Sequence, residues 1–317
     1  MSYTTGGIIQ AWDYNLLGWK ANAATYNNGD CLAQVVGTGY GYLGYGQSTT
    51  PISPLSIGGT VTGTQWAGLV YMVNRCLGHQ SGSGAQLGGA GNLATTAGST
   101  IVYYSNVAAA VGTIRTNANL KTAQGSTTTG SVFTQQITGT NTTFSHTWNR
   151  VATWSSADAA RYFFNCGGQI NYVITGVTNN NGTLRSADLV TQWLTYQASG
   201  TITGLASTRG GSGGTPTTAS IGYWGCTTAM QNICQVVSAN YRYEYNSDYT
   251  NVRVKTSGVT GSNGDNGAVM TLGFGSYMFS TYSGLNDAVD VTVSHRIDYI
   301  VPETTYLTAS WGTPTIT

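Results

Sequence analysis

Charge is what this sequence has least of. Only 7% of its 317 residues are Asp, Glu, Lys or Arg, against about a quarter in an average soluble domain. The twelve basic residues are scattered and the net charge is +1, so there is no electrostatic footprint for nucleic acid. The densest basic neighbourhood, Arg253 and Lys255, alternates with Val252 and Val254 and reads as the solvent face of a strand. Glutamate occurs only at Glu244 and Glu303, and histidine only at His79, His146 and His295, which leaves little material for acid–base chemistry. There is no HExxH, GxSxG or Cys–His arrangement. No run approaches the ~18 apolar residues of a membrane span, so membrane insertion is not expected. The first residues, MSYTTGGII, lack the positive region and apolar core of a signal peptide. The chain is therefore expected to fold where it is made and to leave by a route such as lysis. Five cysteines, Cys31, Cys76, Cys166, Cys226 and Cys234, form neither a CxxC pair nor a dense framework. They are expected to be mostly reduced and buried, with nothing to support a Cys226–Cys234 bridge.

What fills the space is glycine (44 residues), tyrosine (21), tryptophan (8) and many Thr, Ser, Asn and Gln. Surfaces of hydroxyls, amides and rings repel no partner by charge. They suit a subunit inside an assembly or a protein that faces carbohydrate, and equally a salt-indifferent extracellular β protein.

Three helical patterns come first. Over 8–24, Ile9, Trp12, Leu16, Trp19 and Ala23 predict one aromatic seam. GTGYGYLGYGQ at 37–47 follows as a loop in which Tyr40, Tyr42 and Tyr45 supply flat surface. It follows no strand and opens no helix, so its GxGxxG-like spacing is not a nucleotide fingerprint. A second helix starts at a Thr62/Gln65 capping box with Val61 and Trp66 as hydrophobic staple. Its buried stripe is Trp66, Leu69, Val70, Val73 and Leu77, and Gly78 is its expected stop. Residues 80–100 read as a flexible Gly/Ser loop. A third helix is expected over 101–118 through Tyr104, Val107, Val111, Ile114 and Ala118.

GSTTTG at 125–130 then reads as a hinge, after which strands dominate. Phe144, His146 and Trp148 alternate into Trp154. Ser155 is the expected helix N-cap, and Asp158 accepts from the free amides at the positive helix end. Ala159, Tyr162 and Phe163 share one helical face, Gly167 and Gly168 stop the helix, and Ile170, Tyr172 and Ile174 open a strand. Ser186-Ala187-Asp188 repeats that helix start, with Leu189, Val190, Trp193 and Leu194 as its buried face. TNNNGT at 178–183 is a turn and RGGSGG at 209–214 a mobile loop. Beyond it, strands are expected at 218–224, 231–238, 241–246, 250–256, 267–274 and 289–301, the last alternating Val289, Val291, Val293, Ile297 and Val301 inward. The fold class is thus α+β. A small N-terminal helical bundle (1–122) precedes a larger antiparallel, sandwich-like β domain (123–317) that carries two short helices.

Candidate chemistry is sparse. Glu244 with Asp287, Asp290 or Asp298 is the only carboxylate set from which a wall hydrolase could be built, and charges on one strand normally decorate its solvent face. Asp265 in SNGDNG lacks the ligand spacing of a calcium loop. His79 is expected to be an imidazolium favoured by a helix C-terminus, and His146 and His295 hydrogen-bonded core residues. No catalytic, metal or cofactor residue is assigned. Trp12, Trp19, Tyr40, Tyr42, Tyr45, Trp66, Trp154, Asp158, Phe163, Gly167 and Gly168 stand as structural or interface candidates.

Two stretches resemble a family of structural proteins of tailed-phage virions, common in cyanophages and other aquatic phages. One comprises IIQAWDYNLL, GYGQ, VTGTQWAGLV and RCLGHQSG. It is similar to that family's helix beginning I-T-A-x-D-Y-N-x-L, its G-Y-G-Q turn, its W-x-x-L helix and its closing R-x-x-x-H-Q. The other, FSHTWNRVATWSSADAARYFFNCGGQINYVI, looks like the family's strand, S-x-D-A-x-x-F-F-N-x-G-G and strand. Gln10 departs from a capping Thr, and 226–234 has no counterpart. The resemblance implies a tail-, neck- or baseplate-associated virion component whose partners are copies of itself, other virion proteins and, for a receptor-binding fibre module, host surface glycans. It supplies no catalytic residues.

Overall fold

The computed structural model describes residues 9–18, 31–39, 41–56, 58–88, 104–119, 121, 124–139, 143–238, 247–258, 266–279 and 288–317. Within them the chain mixes helices with two six-stranded antiparallel sheets. Four helices come first: α1 (Ala11–Gly18), α2 (Leu32–Val36), α3 (Gly63–Ser81) and α4 (Tyr104–Thr116). Next come β1 (Gln124–Thr128), β2 (Val132–Gly139), β3 (Thr143–Thr153), α5 (Ala157–Asn165), β4 (Gln169–Asn179) and α6 (Leu184–Thr191). A π-helical turn, Gln192–Tyr196, extends α6. The remaining strands are β5 (Ser199–Ile202), β6 (Ser207–Arg209), β7 (Thr215–Thr218), β8 (Gln231–Val237), β9 (Tyr249–Thr256), β10 (Val269–Phe279), β11 (Val289–Pro302) and β12 (Thr315–Ile316).

One sheet runs β1-β11-β4-β5-β6 with β2 also on β11, and the other runs β12-β3-β10-β9-β8-β7. They face each other through rings. Trp148 of β3 stacks on Phe274 of β10 with centroids 5.6 Å apart and meets His295 of β11 at 5.5 Å. Tyr172 of β4 stands edge-on to Phe274 at 5.8 Å. The inward alternation of β11 predicted from sequence is present, with Val289, Val291, Val293 and Ile297 all buried.

α3 begins at the expected capping box, where Thr62 accepts from the Gln65 N–H and the Gln65 side chain from the Thr62 N–H. It runs through Gly78, however, to a C-cap at Gly82 (φ 85°). Gly78 is instead the place where a Cβ would collide with the Tyr306 ring.

Several other expectations are corrected. In α1 the buried face is Ala11, Tyr14 and Leu17, while Trp12 and Leu16 are 45% and 38% exposed. Both stripes are apolar, and the choice is made by Asn15. Its side chain clamps the backbone of Leu55, donating to the carbonyl at 2.7 Å and accepting from the N–H at 2.8 Å. The expected hinge at 125–130 is mostly strand: Thr127 and Thr128 pair with Ile300 and Tyr299, and Gly130 donates to the Asp298 carboxylate at 3.0 Å. The N-cap of α5 is Ser156, accepting from Ala159 at 3.0 Å, and not Ser155. α6 starts at Thr183, which caps Ser186, three residues before the expected Ser186-Ala187-Asp188 start. In α6 and its extension Leu189 and Trp193 are buried, but Leu194 faces out. Residues 209–214 pack closely, a Cβ on Gly211 or Gly214 meeting Tyr196. Residues 218–224 hold one 3-10 turn, Tyr223–Gly225, beyond the end of β7. The 241–246 strand and most of the SNGDNG turn lie outside the described residues, as do Trp19, Tyr40, Glu244, Asp265 and Asp287.

Phe163 is fully buried against Trp154 and Phe164, with ring centroids 5.3 and 5.2 Å away. Phe163→Ala therefore removes about 3–5 kcal/mol of stability, measured by chemical denaturation. A variant that unfolds with the wild type contradicts this placement of the core.

Candidate functional site

The glycine–tyrosine loop keeps Tyr42 exposed, but Leu43, Tyr45 and Gln47 are enclosed by the rest of the chain. Residues 44–47 turn back on α2, where Tyr45, Gly46 and Gln47 donate their N–H groups to Val35, Gly37 and Val36 at 2.8–2.9 Å. A buried backbone without a ladder of its own must find partners elsewhere, and side chains from distant positions supply them. Asn165 of α5 donates to the carbonyls of Leu43 and Gly44 at 2.9 and 3.1 Å. Arg161, also on α5, donates to Gly39 and Leu43 at 3.0 and 3.3 Å. Ser310, near the end of the chain, donates to the Tyr45 carbonyl at 2.8 Å.

Tyr45 and Gln47 are the pins of this seam. The fully buried Tyr45 hydroxyl donates to the Ala118 carbonyl at 2.7 Å and accepts from Gln80 at 2.7 Å. Burial, reinforced by the nearby Cys76, pushes its pKa well above 10. Its ring stands edge-on to His79, with centroids 5.3 Å apart. The Gln47 amide brackets Thr308, donating to its carbonyl and accepting from its N–H, both at 2.8 Å. Arg75 adds a bond to Gln47 at 3.2 Å and another to the Tyr306 carbonyl. Gly46 (φ 65°) has no room for a Cβ beside the Tyr162 ring. The GYGQ turn, the Arg75–His79–Gln80 end of α3 and the Asn165 of α5 therefore meet in one place. The boundary expected near residue 122 is crossed by these bonds.

Of the interface candidates, Tyr45, Trp66, Trp154 and Phe163 are core residues. Tyr42 is 53% exposed and Trp12 45%, and these two do present rings outward. Gly167 adopts φ 90°, as a helix stop requires, and Gly168 lies against the Phe163 ring. Asp158 is not the cap of α5; its carboxylate, 56% exposed, pairs with Arg161 at 2.8 Å. Sequence reasoning missed Arg161, Asn165, Gln47 and Arg75. The available signal was Arg161 and Asn165 flanking the apolar Tyr162-Phe163-Phe164 run.

Among the described residues, Asp290 and Asp298, two of the carboxylates singled out from the sequence, do not converge. Asp290 accepts from Gln136 at 2.9 Å and Asp298 from Arg296 at 3.0 Å. Both lie on β11, eight residues apart, so roughly 26 Å of strand separates them. That is well beyond the span of a glycosidase pair. Asp248 is fully buried beside Arg185 (3.4 Å); burial raises its pKa to about 6, opposed by the Phe279 N–H and by Arg185. Asp188 close by accepts from Ser238 at 2.7 Å and Gln192 at 2.9 Å. All three side chains are buried. His79 is not an imidazolium: burial lowers its pKa to about 4, with Glu303 acting against that trend. His295 is lowered to about 4 by burial and by Arg150, and its Nε2 accepts from Trp148 and Arg150 at 3.1 and 3.0 Å. His146 is half-buried, and burial lowers its pKa too. All five cysteines are free and buried. Among the described residues no three His, Cys, Asp or Glu side chains are grouped to hold a metal ion, and no helix is long and apolar enough to cross a membrane. Two shallow clefts exist. One of about 320 Å³ lies between Tyr71, Arg75 and residues 304–309. The other, of about 280 Å³, is bordered by Asn119, Lys121, Phe164 and Leu205. Neither contains a carboxylate or an imidazole.

Compared with protein-family models, curated proteins and solved structures, the chain matches none.

Two measurements follow from this geometry. Arg161→Ala strands the Gly39 carbonyl, leaves Leu43 to Asn165 alone and costs about 3 kcal/mol, whereas Asp158→Ala, which removes a mostly solvated partner, costs under about 1 kcal/mol. Equal losses in urea unfolding would mean that the carbonyl clamp contributes nothing. The second measurement is pH dependence. His79 and His295 bind protons more weakly folded (about 4) than unfolded (6.5), so the stability present above pH 6.5 is lost as pH falls towards 4. Asp248, raised from 3.8 to about 6, works the other way, gaining stability as pH falls from 6 to 3.8. Two imidazoles outweigh one carboxyl, so the melting temperature drops between pH 6.5 and 4. A flat or rising profile contradicts this.

Proposed function

We propose that the chain is a structural subunit of a tailed-phage virion, associated with the tail, neck or baseplate. In this reading it assembles with copies of itself and with other virion proteins, and it acts by shape and adhesion, without catalysis. The observation that carries the reading is the convergence of the motif residues. Those that resemble the virion family at GYGQ, at the R-x-x-x-H-Q end of α3 and at FFN-x-GG lie far apart in the sequence, yet Gln47, Arg75, Tyr45, Gln80 and Asn165 form one hydrogen-bonded seam. A motif set that shares one physical job is better support than isolated matches. The N-terminal helices then form a small docking bundle, tied by the seam to the β-rich body. The low charge fits a surface that spends its life against neighbouring subunits.

A second reading, a receptor-binding module for host surface glycans, is favoured by the outward rings of Trp12 and Tyr42. Peptide mass spectrometry and antibody labelling of purified particles decide the first reading. Expected is a stoichiometric virion component, and purified chain should rebind particles that lack it. Its absence from particles would sink the proposal. Binding of the purified chain on a glycan array would promote the second.

A further inference from the structure

The two sheets end very differently on their two sides. On one side the outermost strands are β6, three residues long, and β7, four residues long with Pro216 inside it. Short strands and proline are how sheet edges are kept from pairing with foreign strands. On the other side lie β2, eight residues, and the five-residue β1 in one sheet, and in the other β3, eleven residues, covered only at its end by the two-residue β12. Among the described residues β2 pairs only with β11. β3 is paired away from β10 only at its end, where residues 151–153 meet β12 and Thr317. Residues 132–139 and 143–150 thus leave two free edges. They lie on the same side, because Arg150 of β3 stacks over the Phe133 ring of β2 at 4.0 Å. Neither edge is guarded. VFTQQITG carries no charge and no proline, its first residue Val132 is 55% exposed, and the one formal charge on β3, Arg150, is turned inward to His295.

We propose that this side is a docking surface for a second copy of the chain. The copies pair edge to edge, β2 against β2 and β3 against β3, about a two-fold axis normal to the sheets. This rests on the assembly reading above and names its partner. Three points choose a second copy over other strands. One axis serves both free edges at once, joining each six-stranded sheet to its twin, as an isologous contact requires. An uncharged edge meets itself without repulsion. In the antiparallel register centred on Gln135, Thr134 faces Gln136, and on the inner side Phe133 faces Ile137, an aromatic–β-branched pair of the kind that stabilises sheets. The size also fits. Eight residues give roughly 27 Å of edge, and two sheets ~10 Å apart with their outer side chains give roughly 20 Å of depth. That is about 600 Å² per copy, the lower end of specific interfaces.

The test uses the full chain. Sedimentation equilibrium gives the oligomeric state, and amide hydrogen exchange reads 132–139 and 143–150 at high and low concentration. Thr134→Lys/Gln136→Lys sets like charges opposite one another at exposed positions, and should weaken association by more than about tenfold with an unchanged melting temperature at dilutions where both chains are monomeric. Gln135→Cys, at the two-fold axis, should form a disulfide-linked dimer on oxidation, because directly opposite residues lie within disulfide reach and the native cysteines are all buried. Concentration-dependent protection of both strands with both variant effects supports the pairing. If copies associate while these amides stay unprotected and neither variant matters, the pairing is overturned and the assembly reading stands. A wild type that is monomeric at its highest soluble concentration also overturns the pairing; so does protection of these strands only inside particles, which would assign the edge to another virion protein. The virion role itself is decided separately by particle composition.

Discussion

The structure hangs on a stretch of irregular backbone that has been buried. Residues 39 and 41–47 carry four glycines at positive φ and belong to no helix or strand, yet Leu43, Tyr45 and Gln47 are all enclosed. An enclosed carbonyl without a partner costs as much as a lost hydrogen bond, so the segment is stable only where donors are brought to it. Asn165 and Arg161 come from α5, Ser310 from the C-terminal tail and the paired Gln47–Arg75 from the helical half. Gly39, Gly44 and Gly46 are needed because neighbours approach the backbone itself, whereas Gly41 has open space and is called for by its positive φ alone. Close approach and donor supply are two halves of one solution. α5 and the tail reach the carbonyls of this segment, while α3 reaches the Tyr45 hydroxyl and the Gln47 side chain.

This explains which parts of the molecule were legible in the sequence. Regular elements with a single satisfied face were readable: the Thr62–Gln65 box, the α3 stripe, the alternation of β11, the Gly167 stop. The errors share a cause. At α1, Trp12/Leu16 and Tyr14/Leu17 are equally apolar, and a polar clamp from Asn15 to Leu55 decided the matter. At 125–130 glycine and threonine look like a linker, but β11 continues far enough to pair with them. At 44–47 the loop signal was right about backbone conformation and wrong about exposure. Local propensity reports φ and ψ; it does not report who will supply the hydrogen bonds. Tyr45 and Gln47 became legible only once residues 80, 118, 166 and 310 were in place around them.

The few charges deepen the point. Arg161 and Arg185 are almost fully buried, Asp248 wholly so, and Arg150 is folded inward over Phe133. A composition already poor in charge therefore shows solvent even less of it than the count suggests. Such groups cost desolvation, and they are tolerated because each satisfies carbonyls, an imidazole or a counter-ion. They order the interior at the expense of long-range repulsion outside.

That exchange bears on the proposed role. A freely diffusing β protein needs charge, proline or short strands at its edges to stay apart from its neighbours. This chain uses short strands and Pro216 on the β6/β7 side; on the other side the short β12 covers only the end of β3, and β2 and residues 143–150 of β3 carry neither device. The asymmetry argues against general neglect of edges: protection exists, and it is placed. On the assembly reading, the side without it is the side meant to be covered, and the scarcity of charge is a property of the assembled surface. The seam also joins the N-terminal helices to the rest of the chain through several hydrogen bonds, spread over α3, α5 and the tail.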